Sequence, residues 1–396
     1  MSDIANVIRL KAEEYFSEIL AIRRYIHQHP ELSKQEKNTM EFIGSKLSEY
    51  GIQYKDNVGG YGIVGLIEGR EPQAACLALR ADMDALPINE TNEVAYRSAN
   101  PGVMHACGHD VHMACLLGAA KILNSLREHF RGTIKLLFQP SEETYPGGAI
   151  QMIQAGALEN PKPDFVIGQH VFPFFSSGQA GFRPGMFMAS TDEFFITVKG
   201  KGGHGAMPQT AVDPILIASH IVVALQQIVS RNANPLTSTV VTVGKFTGEG
   251  RTNVIPETVR LEGTVRTFDE EWRARVHELL KQIASGTAEA MGGSCDVVVD
   301  RGYPFVFNNE DLTARLIKLS GDYLGETNVK PMEQKMGAED FSYFAQQAPS
   351  CLYGLGIAYP AAGTGPNLHT AGFNVDESAL KTGMGLMAWL AVNVMA

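Results

Sequence analysis

Short apolar runs that stop abruptly at acidic residues or histidine constrain this chain more than any other feature. "ACLALRADMDALP" carries Asp82 and Asp84, "GTIKLLFQPSEE" carries Glu142 and Glu143, and "PDFVIGQHVFP" carries His170. Each run is bounded by glycine or proline and reads as a buried strand. Helical patterns lie between them, among them "VHMACLLGAAKILNSL" and the two that fill residues 1–50. Strands alternating with helices imply an α/β fold, a mostly parallel sheet with helices on its faces. Ligands of such sheets sit beyond the carboxyl ends of the strands. The acidic residues and His170 fall at those ends.

The rhythm changes in the middle. "DEFFITVKGKGG", "TSTVVTVGKFTG", "ETVRLEGTVRTF" and "SCDVVVDRG" read as strands, with helical patterns in "DPILIASHIVVALQQIVSR" and "EEWRARVHELLKQIASGTAEAMGG". The order is βαββαβ, a split βαβ arrangement of ferredoxin-like type. It spans residues 190–302. The larger α/β domain is therefore expected to be discontinuous, over 1–189 and 303–396, with the small two-layer module inserted.

The 396 residues suit two or three domains, and 44% hydrophobic with 19% charged residues is ordinary for a globular chain. A net charge of -10 argues against nucleic acid or an anionic membrane as partner. The start, "MSDIANVIRLKAEEYFSEIL", reads as a charged amphipathic helix rather than a leader. No apolar run reaches the roughly eighteen residues of a spanning helix. Cys76, Cys107, Cys115, Cys295 and Cys351 form an odd set without a CxxC pair, which suits a reducing cytoplasm.

The densest chemistry is "HACGHDVHMA", where Cys107 and His109 sit one residue apart. With one of Glu142 and Glu143, with His170, and with His369 of "GPNLHTAGF", they make a candidate ligand set. A thiolate, imidazoles and a carboxylate suit Zn, Mn, Co or Ni, whereas calcium and magnesium prefer oxygen alone. Five protein ligands exceed one catalytic zinc site, and two ions about 3.5–4 Å apart would use them all. Adjacent glutamates in a loop point different ways. One can hold metal while the other takes a proton from the attacking water, the equipment for amide hydrolysis. Spacing does not say which glutamate does which. The bland alternatives are packing for a lone histidine and a solvated pair for two glutamates. His27, His29, His129, His220 and His277 stay in the bland class, as helix-borne residues without a partner.

The motifs "RRYIHQHPELS", "LRADMDALPI", "MHACGHDVHMA", "LLFQPSEE", "GQHVFP", "KGKGGHGAMPQTAVDP", "GEGRTNVIPETVRLEGTVRTF", "MGAEDFSYF" and "NLHTAGF" cover nearly the whole chain in order. Together they resemble one family of dinuclear metallopeptidases and amidohydrolases, which holds the aminoacylases, glutamate carboxypeptidases and carnosinase-type dipeptidases. The closest likeness is to its amidohydrolase subgroup, with hippurate hydrolases, N-acyl-amino-acid amidohydrolases, auxin-conjugate hydrolases and N-acetyldiaminopimelate deacetylases. The resemblance implies Cys107, His109, Glu143, His170 and His369 as ligands of two divalent ions, and Glu142 as general base. Cys107 stands where most of the wider family has a bridging aspartate. Asp82-Met83-Asp84 stands where that family usually has His-x-Asp, so Asp84 is implied to orient a ligand and Asp82 receives no role.

The inserted module resembles the family's lid and dimerisation domain. His204 of "GGHGAMP" is implied to reach a neighbouring active site and stabilise the oxyanion. Asn253 and Arg266 are implied to bind the substrate's polar end, Arg266 with a bidentate grip on a carboxylate. Glu339 and Asp340 are implied to lie near the site. The expectation is a homodimeric, or tetrameric, cytoplasmic amidohydrolase of N-acetyl or N-benzoyl amino acids. The alternatives are a dipeptidase or carboxypeptidase, an N-acetyldiaminopimelate deacetylase, a catalytically silent binding protein, and a redox thiol at Cys107. Phe172, Phe174, Phe175 and Phe182 are candidates for an acyl pocket or for core packing.

Overall fold

A computed structural model describes residues 2–359 and 365–395 of the chain. The chain divides into two compact units. The larger runs to Phe187, resumes over Phe307–Glu333 and again from Asp340; the smaller comprises Met188–Val306 and Gln334–Glu339.

The larger unit is built on an eight-stranded sheet. Its strands neighbour one another in the order β1 (Gln53–Lys55), β2 (Ile63–Glu68), β4 (Thr133–Gln139), β3 (Cys76–Asp82), β5 (Phe165–Ser176), β12 (Ser350–Ala358), β6 (Ala180–Phe182) and β11 (Val329–Pro331). The central strands β4, β3, β5 and β12 are parallel, as are β6 and β11, while the β1–β2, β2–β4 and β12–β6 pairs are antiparallel. Parallel strands are buried on both faces and need continuous apolar sequence, and β3, β4 and β12 are buried at every residue. Helices Ser2–Gln28, His109–Ser125 and Ala379–Val394 pack on one another. Helix 109–125 starts inside the histidine cluster, directly after Gly108.

Gly108 explains the spelling of Cys-Gly-His. Its φ is +82°, left-handed backbone that glycine adopts without strain. An added Cβ would stand 2.5 Å from Val171 Cγ2. Cys107 and His109 can thus face the end of β5 only with glycine between them.

The smaller unit is a four-stranded antiparallel sheet in the order β8 (Thr239–Thr247), β9 (Thr258–Thr267), β7 (Asp192–Lys199) and β10 (Ser294–Arg301). With helices Pro214–Leu225 and Glu270–Ala290, this is the βαββαβ order. Asp213 caps the first helix by accepting from Ile215 N and Leu216 N, and Asp269 caps the second by accepting from Trp272 N. Phe194, Ile196, Val198, Ile217, Ile221, Leu261, Val276 and Leu280 form its core. Residues 334–339, which chain order alone assigns to the larger domain, pack with this unit: Ala189 N donates to Lys335 O and Gly337 O.

The first helix resembles a spanning segment but is built into the core of this unit. By length and composition Pro214–Asn232 is apolar enough to cross a membrane, with a mean hydropathy of 1.3 over the window. It packs one face, Ile217, Ala218, Ile221, Leu225 and Ile228, onto the sheet. Ile215, Leu216, Val223 and Val229 are exposed on the rest of it, Val223 by 73%.

Candidate metal centre

The strand ends of the larger unit and the loop before helix 109–125 converge. Cys107 Sγ lies 3.6 Å from His170 Nε2 and 3.3 Å from His369 Nε2. Glu143 Oε1 lies 3.4 Å from His369 Nε2 and 3.9 Å from His109 Nε2. Ligand atoms sharing one tetrahedral ion, with bonds of about 2.0–2.3 Å, stand about 3.3–3.8 Å apart. The five residues fall into two overlapping groups that could each hold an ion, Cys107 with His109 and His170, and Cys107 with Glu143 and His369. Cys107 belongs to both.

The donors fit a cation on a second count. Both ring nitrogens of His109 and Glu143 Oε1 are buried without a hydrogen-bond partner among the described residues. Such groups cost about 1–3 kcal/mol each unless something completes them. Burial alone would depress the His109 imidazole, but Asp82, Asp84 and Glu143 outweigh it and raise it to about 10. The metal-free cluster therefore already holds positive charge at the place where a metal ion would bring it.

Around the cluster lies a buried layer that fixes the donors. His170 Nδ1 donates to Val171 O at 2.8 Å, which leaves its lone pair on Nε2, toward Cys107. Asp84 Oδ1 stands 3.4 Å from His109 Nδ1. The same carboxylate accepts from Glu142 N and Glu143 N, both at 3.0 Å, and from Ser33 Oγ at 2.6 Å. Burial would raise Asp84, yet His109 and these donors hold it below the ordinary value. Ser141, just before the glutamates, has a left-handed φ of +55°. Glu36 accepts from its N at 2.7 Å and its Oγ at 3.0 Å, and Lys34 N donates to the same Oγ at 2.9 Å. Glu142 is buried and shares a group with His109 and Glu143.

Asp82 and His112 form the floor. Val171 N donates to His112 Nε2 at 2.9 Å, so the ring proton sits on Nδ1 and is given to Asp82 Oδ1 at 2.5 Å. Asp82 also accepts from Arg80 at 2.6 Å, and Arg80 reaches Gln139 Oε1 at 2.8 Å and Asp340 Oδ1 at 3.0 Å. Despite burial, Arg80, His109 and His112 keep Asp82 far below its ordinary value. Asp340 further accepts from Gln139 Nε2 at 2.8 Å and from Ala149 N at 3.0 Å. Of this layer the resemblance implies only that Asp340 lies near the site, and it leaves Asp82 without a role. Arg80 is a further signal, since a charge inside an apolar strand must be paired.

Three of the histidines expected to lack partners have them: His29 bonds Tyr25 O, four residues back, at 2.7 Å, and two others reach further. His27 bonds Asp110 Oδ2 at 2.8 Å and Glu90 Oε1 at 3.1 Å, and His277 bonds Asp192 Oδ2 at 2.7 Å. Their partners lie far off in sequence, where helical spacing cannot reveal them. His105 of "HACGHDVHMA" is buried with neither ring nitrogen bonded among the described residues, and burial pushes it down to about 3, so it stays neutral.

The smaller unit brings His204 and Asn253 together: His204 pairs with Val254 across a short ladder, and Gly205 N donates to Asn253 O at 2.8 Å. His204 is exposed, and its Nδ1 accepts from Ala206 N at 3.0 Å, which puts the ring N–H on Nε2. Arg266 lies on β9, paired with Val240 in the ladder, with a half-buried side chain that makes no hydrogen bond among the described residues. Burial lowers its guanidinium against the pull of Asp192 and Glu193. Glu339 is buried. Of the phenylalanines, Phe182 stacks in the core on Tyr353, Phe172 is buried with its ring 5.6 Å from His170, and Phe174 is exposed.

The model of peptidase family M20/M25/M40 matches residues 78–393. The chain is 43% identical over 304 residues to an N-acyl-L-amino acid amidohydrolase of Geobacillus stearothermophilus, covering 77% of this chain and 81% of that protein. It is 37% identical to thermostable carboxypeptidase 2 of Saccharolobus solfataricus, covering 98% of each. Among solved structures, the YXEP protein of Bacillus subtilis, described as a dinuclear metal-binding peptidase of family M20, superposes with a TM-score of 0.84 at 33% identity, over 97% of this chain and 99% of that one.

Proposed function

We propose, for a chain that belongs to peptidase family M20/M25/M40, that it is a dinuclear metal-dependent amidohydrolase, cleaving N-acyl-L-amino acids of N-acetyl or N-benzoyl type to a carboxylate and a free amino acid. The observation that carries this reading is the membership of Cys107 in two ligand groups at once, with Glu142 beside them. Cys107, His109, Glu143, His170 and His369 would hold two divalent ions, with Zn, Mn, Co and Ni all suited to the donors. Bound there, they supply Lewis acidity toward the scissile carbonyl and acidify water toward a pKa of about 7.

The chain's own residues do the rest. Glu142 takes a proton from the attacking water and returns it to the leaving amine. Asp84, on the backbone of both glutamates, keeps base and ligand in fixed relation. His204 carries its proton on Nε2 and donates it to the developing oxyanion. Arg266, its side chain half-buried and without a hydrogen bond among the described residues, and Asn253 receive the amino-acid carboxylate. The exposed apolar side of helix 214–232 and the edge strand β8 support a homodimer, since such patches mark interfaces. All five cysteines stand free, which fits work in the cytoplasm.

The Saccharolobus relative favours a second reading, a carboxypeptidase or dipeptidase on the same site. The test is titration of chelated protein with Zn, Mn, Co or Ni while hippurate, N-acetylmethionine and a dipeptide are turned over. Activity appearing with about two equivalents supports the dinuclear site, and the preferred substrate separates the readings. Glu142→Gln should bind both ions and lose turnover by about 100-fold or more. Near-normal turnover in that variant would refute the base assignment.

A further inference from the structure

His369 differs from the other metal-binding candidates in how it is held. His170 lies within β5, His109 starts a helix with Cys107 two residues before it, and Glu143 follows the end of β4. His369 comes from a loop, with its side chain 53% exposed. Its φ is +60°, a left-handed conformation that a non-glycine residue keeps only when its surroundings over-determine it.

Those surroundings can be named. His369 N donates to Ala106 O at 2.9 Å, one residue before Cys107. Thr91 N and Oγ1 both donate to Ala371 O, at 2.9 and 3.1 Å. Asn92 Nδ2 donates to Phe373 O at 2.8 Å, and the Phe373 side chain is fully buried. The Asn92 amide is itself aimed by Glu90 Oε1 at 3.0 Å, while Ser98 N occupies Glu90 Oε2 at 2.8 Å. Behind Glu90 stands His27, whose Nε2 meets Glu90 at 3.1 Å and whose Nδ1 meets Asp110 at 2.8 Å. Nε2 faces a carboxylate, and Nδ1 faces Asp110 Oδ2 with Arg23 Nη2 3.3 Å away; against burial and Arg23, the two carboxylates raise the imidazole. Arg23 Nε closes the chain on Asp110 at 2.8 Å. Asp110 is the residue after His109.

A buried ionic chain thus runs from the first turn of helix 109–125 to the His369 loop. Buried charge is expensive and is weak support for stability as such. Here one end borders the ligand His109 and the other holds the carbonyl of Phe373, in the loop that carries the ligand His369.

We propose that the Asp110–His27–Glu90–Asn92 chain positions His369, and that Asn92 and Glu90 thereby set the affinity of one ion of the pair, the one held by Cys107, Glu143 and His369. This rests on the dinuclear reading above. Asn92 and Glu90 are positioning residues and touch neither ion nor substrate. Residues that orient a metal ligand are worth about ten- to a hundred-fold in affinity.

The test uses the full chain, freed of metal and titrated with cobalt(II), with ion uptake followed by calorimetry and visible absorption. His369→Ala defines which of the two binding steps belongs to His369. Asn92→Ala and Glu90→Gln are expected to weaken that same step by about ten- to a hundred-fold and to leave the other step unchanged. Asn92→Ala, at a half-buried position, is expected to leave the metal-free melting temperature unchanged, whereas Glu90→Gln, which takes a carboxylate from buried His27, is expected to lower it. Wild-type affinity at both steps in both variants overturns the proposal. So does equal weakening of both steps, which marks a general loosening. A wild-type protein that takes up one ion only overturns the dinuclear reading. The positioning role is then decided by whether Asn92→Ala weakens that single ion as His369→Ala does.

Discussion

Gly108→Ala is the sharpest single perturbation of the cluster, because two independent terms act on it. The backbone at 108 has a φ of +82°. An L-residue there costs about 1–2 kcal/mol. The new methyl would also sit 2.5 Å from Val171 Cγ2. Val171 is fully buried on β5 and β-branched, so it has no free rotamer to escape into. Overpacking of this kind costs about 1–3 kcal/mol. The sum is about 2–5 kcal/mol, read by urea unfolding of the metal-free protein. The two terms can be separated. In the double variant Gly108→Ala/Val171→Ala the clash is gone and the backbone strain remains, so the double-mutant cycle should show a favourable coupling of about 1–3 kcal/mol. Cobalt uptake should fall in the single variant, since Cys107 and His109 flank the strained residue, and should recover in part in the double. A Gly108→Ala protein with unchanged stability and uptake would refute the reasoning, as would a cycle with no coupling.

Three further outcomes are expected. Arg80→Leu leaves Asp82 and Asp340 buried without their guanidinium and should cost about 3–5 kcal/mol in urea unfolding; a loss below 1 kcal/mol would mean that the pairing matters little. His109, raised to about 10 in the metal-free protein, holds a proton at neutral pH that a metal ion must displace. Apparent metal affinity should therefore climb as pH rises toward 10, and calorimetry in buffers of different ionisation heat should count the released proton; uptake with no release would contradict this. Asp192 is buried, yet Arg273 and His277 hold it down to about 2. Its folded value is depressed, so its contribution is present above about pH 4 and lost as pH falls through about 2. The stability gap between wild type and Asp192→Asn should shrink over that window, and a constant gap would show that the pairing does not set it.

The strand-end candidates were legible because a parallel strand announces itself. It must be apolar along its length, so the polar residues after it mark the carboxyl edge, as at Asp84 and Glu142; His170, expected to follow its strand, lies inside β5, which runs on to Ser176. Base and ligand could not be told apart by spacing, since adjacent residues share one signal. His369 sits on a loop with no periodicity, and only its motif singled it out. The supporting layer was opaque for another reason. His27 meets Glu90 and Asp110 across 63 and 83 residues of chain. Nothing local to a helix shows which carboxylates the fold will bring to it. Arg80 was the exception, an unexplained charge inside "CLALRAD", and following it would have led to Asp82, Gln139 and Asp340.

One carboxylate, Asp84, accepts from the backbone N–H of both Glu142 and Glu143. The grip is on main chain, which no substitution of either glutamate but proline removes. Each side chain can therefore be exchanged without displacing the other. Loss of the Glu142 side chain alone would leave the Glu143 main chain, and the carboxylate that grips it, in place.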